Sequence, residues 1–491
     1  MFVNGIKKSF ASGLKMSKLF STSSIARQAQ TVNHDIEWKN PYPEAEFSVG
    51  PKNGFLPKED PLITLPEQFS ELEALMEEMP INKTNGQKGL LYYGDLGQQV
   101  LERLPQYDLS NITDQRLLSA LFRDYTYLAS AYLLEPCDIK FRASGVYGLA
   151  RENLIKQIAV PLETVSKKIH AKPFMEYAMS YALYNYKKLD VTKPPSYENV
   201  ELIRGFSKCT DEHGFILVHV DMVRYSGQLV TAAMDALEAV RNDNRDMFNK
   251  ALSSYFDALL IINTSMETMW KRSDPDKYLS FRTFIMGTKN NPMFPNGVFY
   301  EGSADTSARF YRGESGANDS MVPLSDNLFE LTSGMPSNPL TAVLRDFRSY
   351  RPANHEAFLA YVEKESSRVG LLAYAEKDAL SSALLLRNLD QIRDFRHRHW
   401  TFTVEYIIKN SDHPTATGGS PIVTWLPNQL RSVLKTLDRF STSIDTTKLD
   451  LEMQDIVHNI RRRAVAQVRA LDRQVNEFQE KRFVNQEEYQ G

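Results

Sequence analysis

The stretch LRNLDQIRDFRHRHWTFTVEYIIKN at residues 386–410 is the strongest indication of the fold. Apolar side chains recur in it and just before it at three- and four-residue intervals, the spacing of one face of an α-helix. This stripe comprises Leu385, Leu389, Ile392, His399, Phe402 and Tyr406. His397 lies two residues, about 200°, from His399 and is expected to point away. We therefore expect His399 to face the core, where a lone histidine is more often a satisfied core residue than a metal ligand.

Arg396 precedes His399 by three residues and shares its helical face, one turn away. A haem needs one neutral imidazole from a rigid helix, apolar walls, and cations near its propionates. This pair suits such a group, because Arg396 could donate charge-assisted hydrogen bonds to a propionate. The spacing leaves a second interpretation open, in which Arg396 forms a surface salt bridge with Asp390 or Asp394.

Helical spacing continues outward over most of the chain. Clear examples are LLSALFRDYTYLASAYLLEP (117–136), PLETVSKKIHAKPFMEYAMSYALYNY (161–186) and TAAMDALEAV (231–240). Only short pieces such as residues 215–220 look equally like strands. The sequence predicts a mainly α fold with at most a minor sheet in the first domain.

The turn-rich segment VTKPPSYENV at residues 191–200 indicates a domain boundary. We expect a smaller N-terminal domain over residues 34–205, a larger helical domain over residues 206–445, and a charged helical extension over residues 446–491. The extension is either a coiled-coil-like arm that mediates association or one helix packed on its own domain.

The N-terminal segment has the composition of a transit peptide. The first 34 residues contain no Asp or Glu, the five basic residues Lys7, Lys8, Lys15, Lys18 and Arg27, and a Ser-rich run. We predict that residues 1–33 are a mitochondrial presequence; the alternative is a disordered basic tail of a cytoplasmic protein.

The overall composition excludes several classes of partner. Lys and Arg total 58 against 61 Asp and Glu, so the formal charge of -3 does not suggest nucleic-acid binding. Cys137 and Cys209 lack the number and spacing for a disulfide framework or a zinc site. No run of 18 apolar residues predicts a membrane span.

Two glycine-rich segments could surround a site. Residues 289–319 form a long segment of low periodicity, which is unusual in a compact domain unless the loop has a function. It matches no phosphate-binding motif, and it could equally be a structural surface loop. The segment TATGGS at residues 415–420 could be a mobile flap or a plain turn. Because no nucleophile, base and acid constellation is found, an enzyme of this sequence would need a cofactor.

Taken in order, these segments resemble the indoleamine 2,3-dioxygenase family from about Arg123 to Leu430. The matching series is RDYTYLASAYLLEP, YALYNY, GFILVHVDM, FPNGVFYEG, GESGANDS, YRPANHEAFL, FRHRH and TATGGS. The resemblance implies a two-domain, all-helical protein that binds haem b and O2. It also implies cleavage of the indole ring of L-tryptophan to N-formyl-L-kynurenine, which feeds the kynurenine pathway and NAD biosynthesis. A monomer is expected.

The resemblance assigns roles to individual residues. In the FRxxH segment, His399 would be the proximal iron ligand and Arg396 would meet a haem propionate. The other residues carried over are Asp326 near the haem, Ser315 and Gly316 lining the distal pocket, Arg282 on the substrate carboxylate, Phe215, Tyr181 and Ala182 around the indole, and Thr417 and Gly418 in a substrate-closing loop.

The distal side departs from the family pattern at two places. His219 stands where many members carry a small serine, and it could hydrogen-bond oxygen or the indole N–H, or crowd the pocket. The segment before Arg282 is one residue shorter than usual, and Leu279 takes a place where an aromatic residue is common, so Arg282 could be displaced. These departures leave two alternative functions open. One is a haem-binding sensor without turnover, and the other is a helical interaction protein that binds no haem.

Overall fold

The computed structural model describes residues 38–331, 339–411, 416–419, 423 and 425–488. It is 62% helical with only 4% strand, which confirms the mainly α prediction. The predicted presequence lies outside the described residues. The α-helices are α1 (Ser70–Glu78), α2 (Leu90–Tyr93), α3 (Leu96–Arg103), α4 (Gln115–Ser144), α5 (Lys156–Lys168), α6 (Thr210–Val223), α7 (Ser226–Arg241), α8 (Arg245–Glu267), α9 (Met269–Arg272), α10 (Leu279–Arg282), α11 (Met321–Leu328), α12 (Pro339–Arg348), α13 (Ala353–Val369), α14 (Leu371–Glu376), α15 (Ala379–Phe402), α16 (Trp425–Ser443) and α17 (Leu451–Glu488).

Shorter helical turns and strands connect these helices. Two turns are π-helical, Tyr177–Tyr181 and Thr403–Ile408. The 3₁₀ turns are Glu67–Phe69, Tyr197–Asn199, Pro275–Lys277, Thr283–Ile285, Gly316–Asn318 and Thr446–Lys448. Strands β1 (Asn153–Leu154) and β4 (Phe299–Tyr300) pair in parallel, and β2 (Tyr186–Lys188) pairs antiparallel with β3 (Val200–Leu202). Residues 215–220, which could have been a strand, lie in α6.

Helix α4 is the central element of the first half of the chain. It starts because the Asp114 carboxylate accepts hydrogen bonds from the backbone N–H groups of Arg116 (2.9 Å) and Leu117 (3.3 Å). It ends at Gly145, whose φ of 74° places it in the left-handed conformation. Residues 118–135 are buried on every face, as expected of a helix enclosed by protein. Helix α5 and the π-helix Tyr177–Tyr181 pack against it.

Helix α15 has the same central position in the second half. The Asp378 side chain caps its N-terminus by accepting a hydrogen bond from Ser381 N (2.8 Å). It packs between α8 and α16, and the apolar residues of the predicted stripe are buried in those contacts. The helical periodicity of residues 386–410 is thus confirmed, and it carries His399 on the last turn of α15.

The C-terminal helix α17 packs on its own protein. It contacts α16 and α15 through a row of buried residues, Val457, Ile460, Ala464, Leu471 and Val475. Polar contacts join the same helices, including Trp400 Nε1 donating to Gln474 Oε1 (3.1 Å). The extension was predicted either to form a coiled-coil-like arm or to pack on its own domain. These buried residues confirm that it packs on its own domain.

The contacts along the chain divide it into Met1–Lys39 and Asn40–Gly491. A further boundary near residue 205, between a smaller and a larger domain, stays a prediction. Within the described residues, none of the helices combines the length and apolar character that crossing a membrane requires.

Candidate functional site

His399 and Arg396 form one side of the candidate site, which we call the proximal side together with Asp326. Arg396 Nη2 donates to both carboxylate oxygens of Asp326, at 2.8 and 2.7 Å, and both side chains are buried. Asp390 and Asp394 bind other arginines of α15 instead, Arg393 and Arg398. The alternative of a surface salt bridge for Arg396 is therefore wrong.

One donor of Arg396 remains available. Its Nη1 atom is buried and has no hydrogen-bond partner among the described residues. Burying a guanidinium N–H without an acceptor is costly, so such an atom indicates the place of an anionic group. This group would lie one turn of α15 from His399.

The His399 side chain lies deep in the protein yet keeps part of its surface accessible, so it borders an interior space. Burial, followed by the nearby Arg396 charge, lowers the pKa of His399 to about 4. Its imidazole is therefore neutral and has a nitrogen lone pair to offer a metal. His397 has different neighbours, because the charges that act on it belong to Arg393, Asp394 and Arg398. The two histidines thus have different charged neighbours, as expected of residues on different faces of α15.

His219, on α6, lies near His399, and we call the region around His219 the distal side. Burial and then the charge of His399 lower the pKa of His219 to about 4, so the two imidazoles are close enough to interact. His219 Nδ1 shares a hydrogen bond of 3.1 Å with the Tyr177 hydroxyl. The histidine that departs from the family pattern is thus held in a fixed orientation by Tyr177.

Aromatic side chains form the wall beside His219. The rings of Phe215 and His219 have centroids 5.7 Å apart, and Phe215 lies 4.9 Å from Tyr278. Tyr181 follows Tyr177 in the same π-helix and stacks on Tyr127 of α4 at 6.2 Å. Tyr181 and Ala182, which follows it, are both buried. The structure therefore brings the predicted Phe215 and Tyr181 into one region with His219.

The glycine-rich loop of residues 311–316 lines the distal side. A methyl group at Gly316 would lie 3.6 Å from His219 Cε1, in ordinary contact. A methyl group at Gly313 would lie only 2.3 Å from the carbonyl oxygen of Thr417 and 2.5 Å from that of Ile285. Only glycine allows the loop to approach these two segments so closely.

The predicted flap adjoins this loop. Arg312 Nη1 donates to the Gly418 carbonyl (3.0 Å), and Gly287 N donates to the Thr417 carbonyl (3.0 Å). A methyl group at Gly418 would lie 3.4 Å from Ser315 Cβ. Gly313 and Ser315 of the loop therefore lie next to Thr417 and Gly418 of the predicted flap. Residues 412–415 and 420–422 lie outside the described residues.

Arg282 is not at the surface, in contrast to the usual position of an arginine at the end of a short helix. It is fully buried at the end of α10. Burial raises the pKa of Tyr278, and the charge of Arg282 opposes that rise, so the two side chains are neighbours. The structure thus brings Arg282 to Tyr278, which itself contacts Phe215.

Comparison with known proteins agrees with this geometry. The family model described as indoleamine 2,3-dioxygenase matches residues 43–447. The chain belongs to the indoleamine 2,3-dioxygenase family. It is similar to indoleamine 2,3-dioxygenase 1 of Rattus norvegicus, with 26% identity over 77% of this chain and 92% of the rat protein. It is also similar to indoleamine 2,3-dioxygenase nanC of Aspergillus nanangensis (25%, covering 74% and 86%) and to 6-hydroxytryptophan 2,3-dioxygenase fscD of Fusarium equiseti (24%, covering 74% and 84%).

Membership of the indoleamine 2,3-dioxygenase family supports a dioxygenase role on a tryptophan-type substrate, since the proteins of this family are haem-dependent dioxygenases. The structure also shows which side chain supplies an aromatic ring near Leu279, where the family usually has an aromatic residue. The neighbouring Tyr278 supplies an aromatic ring against Phe215. The shortened segment therefore keeps an aromatic wall and a buried arginine.

Two residues of the distal side were missed by sequence reasoning. Tyr177 was not selected, although it lies four residues before Tyr181 in an aromatic-rich segment. Glu314, in the glycine-rich loop, is 4% exposed. An acidic residue between Gly313 and Ser315 was the available signal, but acidic loop residues are usually solvated.

Proposed function

We propose that this chain is a haem-dependent dioxygenase that inserts both atoms of O2 across the indole C2–C3 bond of L-tryptophan and releases N-formyl-L-kynurenine. The observation that carries the proposal is the pair of histidines, His399 and His219, which are close enough for the charge of His399 to act on His219. The Arg396–Asp326 pair stands beside the first, and an aromatic wall stands beside the second.

The residues present fit a haem b. His399 would be its proximal ligand, and the unused Nη1 donor of Arg396 would take a propionate. Asp326 would hold the Arg396 fork in place, as outer partners of a cofactor site commonly do. Ser315 and Gly316 would leave room on the distal side. When bound, the haem would supply the iron that activates O2.

The other residues would position the substrate. Arg282 would bind the substrate carboxylate with its guanidinium fork, and the wall of Phe215, Tyr181 and Ala182 would hold the indole. Thr417 and Gly418 would close over it and exclude water. Holding two reactants in one orientation lowers the entropic part of the barrier, so no protein base is required.

His219 would contribute a directed hydrogen bond. Since its Nδ1 atom is engaged with Tyr177, the Nε2 atom remains for the substrate side. If Nδ1 carries the proton and donates to the tyrosine, Nε2 accepts the indole N–H; in the other tautomer it donates. The His219 imidazole would in either case orient the indole or the oxygen rather than store charge, because it is neutral.

The substrate is proposed from the family and its relatives. Two of the similar proteins are named for indoleamine and one for 6-hydroxytryptophan, so a tryptophan side chain, with or without a ring substituent, is the common element. The product would enter tryptophan catabolism by the kynurenine pathway and, through it, NAD biosynthesis.

The experiment uses the full chain expressed with haem supplied. The Soret spectrum and the absorbance of N-formylkynurenine are recorded after reduction and addition of L-tryptophan in air. We expect haem and product in the parent and in His397→Ala, and loss of both in His399→Ala. Haem without product would contradict the dioxygenase and favour a sensor or binding protein. No Soret band in the parent would contradict both.

We also propose import into mitochondria, from the basic and Ser-rich composition of residues 1–33. A fluorescent fusion of the full chain should enter mitochondria, and one that begins at residue 34 should stay in the cytoplasm. Import without residues 1–33 would overturn this proposal.

A further inference from the structure

The hydrogen bond between Tyr177 and His219 can run in either direction, and its direction decides what His219 offers to the substrate side. The Tyr177 hydroxyl oxygen and His219 Nδ1 are 3.1 Å apart. Their rings meet edge to face, with centroids 5.3 Å apart and planes at 64°. Tyr177 is 1% exposed, so its hydroxyl is shielded from solvent. The placement of the proton therefore depends on the protein groups around the pair.

Both ends of this hydrogen bond are held by capped helical segments. The Glu176 carboxylate caps the π-helix that carries the tyrosine, because it accepts a hydrogen bond from Met179 N (2.6 Å). At the start of α6, the buried Glu212 carboxylate accepts hydrogen bonds from the backbone N–H groups of residues 206–208, at 2.7–2.8 Å. The two side chains therefore meet from fixed backbones.

The tyrosine hydroxyl decides the direction of the bond, because its proton needs an acceptor. Burial raises the pKa of Tyr177, so the residue stays a neutral phenol. In the part of the chain that the structure describes, no group other than His219 forms a hydrogen bond with this hydroxyl. If Nδ1 were the donor, the buried O–H would have no acceptor, which is costly. If the hydroxyl donates, only lone pairs of its oxygen remain unused.

Donation by the hydroxyl fixes the proton of the imidazole. A neutral imidazole carries one N–H, so the proton is on Nε2 when Nδ1 accepts. Burial lowers the pKa of His219 to about 4, which keeps the ring neutral. The Nε2 atom has no hydrogen bond among the described residues, and the side chain keeps part of its surface accessible. The loop 311–316 borders this ring, because a methyl group at Gly316 would lie 3.6 Å from His219 Cε1.

We propose that Tyr177 is a positioning residue that holds His219 as the Nε2–H tautomer, so that the distal side offers a hydrogen-bond donor to dioxygen and no acceptor to the indole N–H. This inference rests on the proposed function and narrows it. Dioxygen can only accept a hydrogen bond and the indole N–H can only donate one, so one tautomer serves only one of them. The indole is then recognised by the aromatic wall, and its nitrogen takes no part.

The first measurement compares two ligands that differ at the indole nitrogen. The haem-loaded, ferric full chain is titrated with L-tryptophan and with 3-benzothienyl-L-alanine, in which sulfur replaces the N–H, and the Soret band is followed. We expect the two affinities to agree within about threefold, because no protein acceptor loses its partner. Binding of the sulfur analogue that is weaker by about tenfold or more would show that the indole N–H is bound, and would overturn the inference.

The second measurement reads the direction of the bond from the infrared C–O stretch of carbon monoxide on the reduced, haem-loaded full chain. A nearby N–H donor lowers this frequency, so the parent should lie below His219→Ser. In Tyr177→Phe the imidazole is free to take either tautomer, and we expect the band to move towards that of His219→Ser or to split. Tyr300→Phe is the control. It also loses a buried hydroxyl, which donates to the Pro173 carbonyl (2.5 Å), and it should leave the band unchanged.

His219→Gln separates positioning from packing. Its amide N–H group can donate from near the place of Nε2 without a partner at Nδ1. Tyr177→Phe should therefore shift the C–O stretch in the parent and leave it unchanged in the His219→Gln background. Equal shifts in both backgrounds would mean that Tyr177 acts only by packing. That result, no shift in either background, or a parent frequency no lower than that of His219→Ser each overturns the inference. These outcomes leave the proposed function standing, whereas a parent without a Soret band refutes both.

Discussion

On the proximal side, His399 and Arg396 come from one helix, α15, and the buried charge of Arg396 is paired with Asp326. On the distal side, the groups come from the π-helix Tyr177–Tyr181, helix α6, the loop 311–316 and the flap at residues 416–419. His219 is neutral there and is oriented by the Tyr177 hydroxyl, and the loop is held by backbone contacts to Ile285 and Thr417. The first side is rigid because of secondary structure, and the second depends on how separate segments meet.

The largest effect should come from removing the partner of the proximal arginine. In Asp326→Ala the Arg396 guanidinium loses its buried carboxylate, and an unpaired buried charge costs about 3–5 kcal/mol. We expect a large drop in the urea midpoint of unfolding. A decrease of less than about 1 kcal/mol in the free energy of unfolding would show that the Arg396–Asp326 pair does not hold the proximal side together. Glu405→Ala, which removes the exposed pair with Lys409, is the control and should change little.

The same contrast explains what the sequence could predict. Helical spacing along residues 386–410 is enough to place His399 in the core and His397 away from it. The partner of Arg396 is 70 residues distant, so periodicity left Asp390 and Asp394 as equal candidates. Asp326 was obtained from the family resemblance, which carries long-range information that spacing lacks.

The distal side was harder to predict because its determinants are not periodic. Tyr177 and Tyr181 belong to a π-helical turn, whose spacing differs from 3.6 residues. Glu314 lies in a loop, where burial depends on the approach of Ile285 and Thr417 rather than on its neighbours in sequence. His219 was recognised as a departure, but its hydrogen bond to Tyr177 required the structure.

The second effect tests whether the distal side depends on close backbone approach. In Gly313→Ala the new methyl group collides with backbone at Gly287, Thr417 and Ile285, so we expect about 1–3 kcal/mol of destabilisation and at least tenfold weaker L-tryptophan binding. Gly316→Ala is the control in the same loop, because its methyl group would meet His219 at an ordinary 3.6 Å. Equal effects of the two variants on affinity would contradict this account.

The third effect concerns the neutral distal histidine. Because the folded pKa of His219 is about 4, below the usual histidine value of 6.5, the unfolded chain binds the proton more readily. His219 therefore makes the folded protein less stable as the pH falls from about 6.5 towards 4. In His219→Ser we expect this loss of unfolding free energy between pH 7 and pH 4.5, which is on the order of 2 kcal/mol, to disappear. Urea unfolding at pH 7 and pH 4.5 measures it, and the pH dependence should be smaller in the variant. An unchanged pH dependence would show that His219 is not buried as a neutral group.

The smallest effect returns to α15. Asp390 binds two arginines, Arg393 from its own helix and Arg463 from α17, at 2.8 and 2.9 Å. In Arg463→Ala the carboxylate keeps Arg393, and the lost partner is 46% exposed, so we expect less than about 1 kcal/mol in urea unfolding. Asp326 differs because its loss leaves Arg396 with no other carboxylate bound among the residues that the structure describes. A cost for Arg463→Ala as large as that of Asp326→Ala would mean that the packing of α17 on α15, and not the proximal ion pair, is what keeps His399 in place.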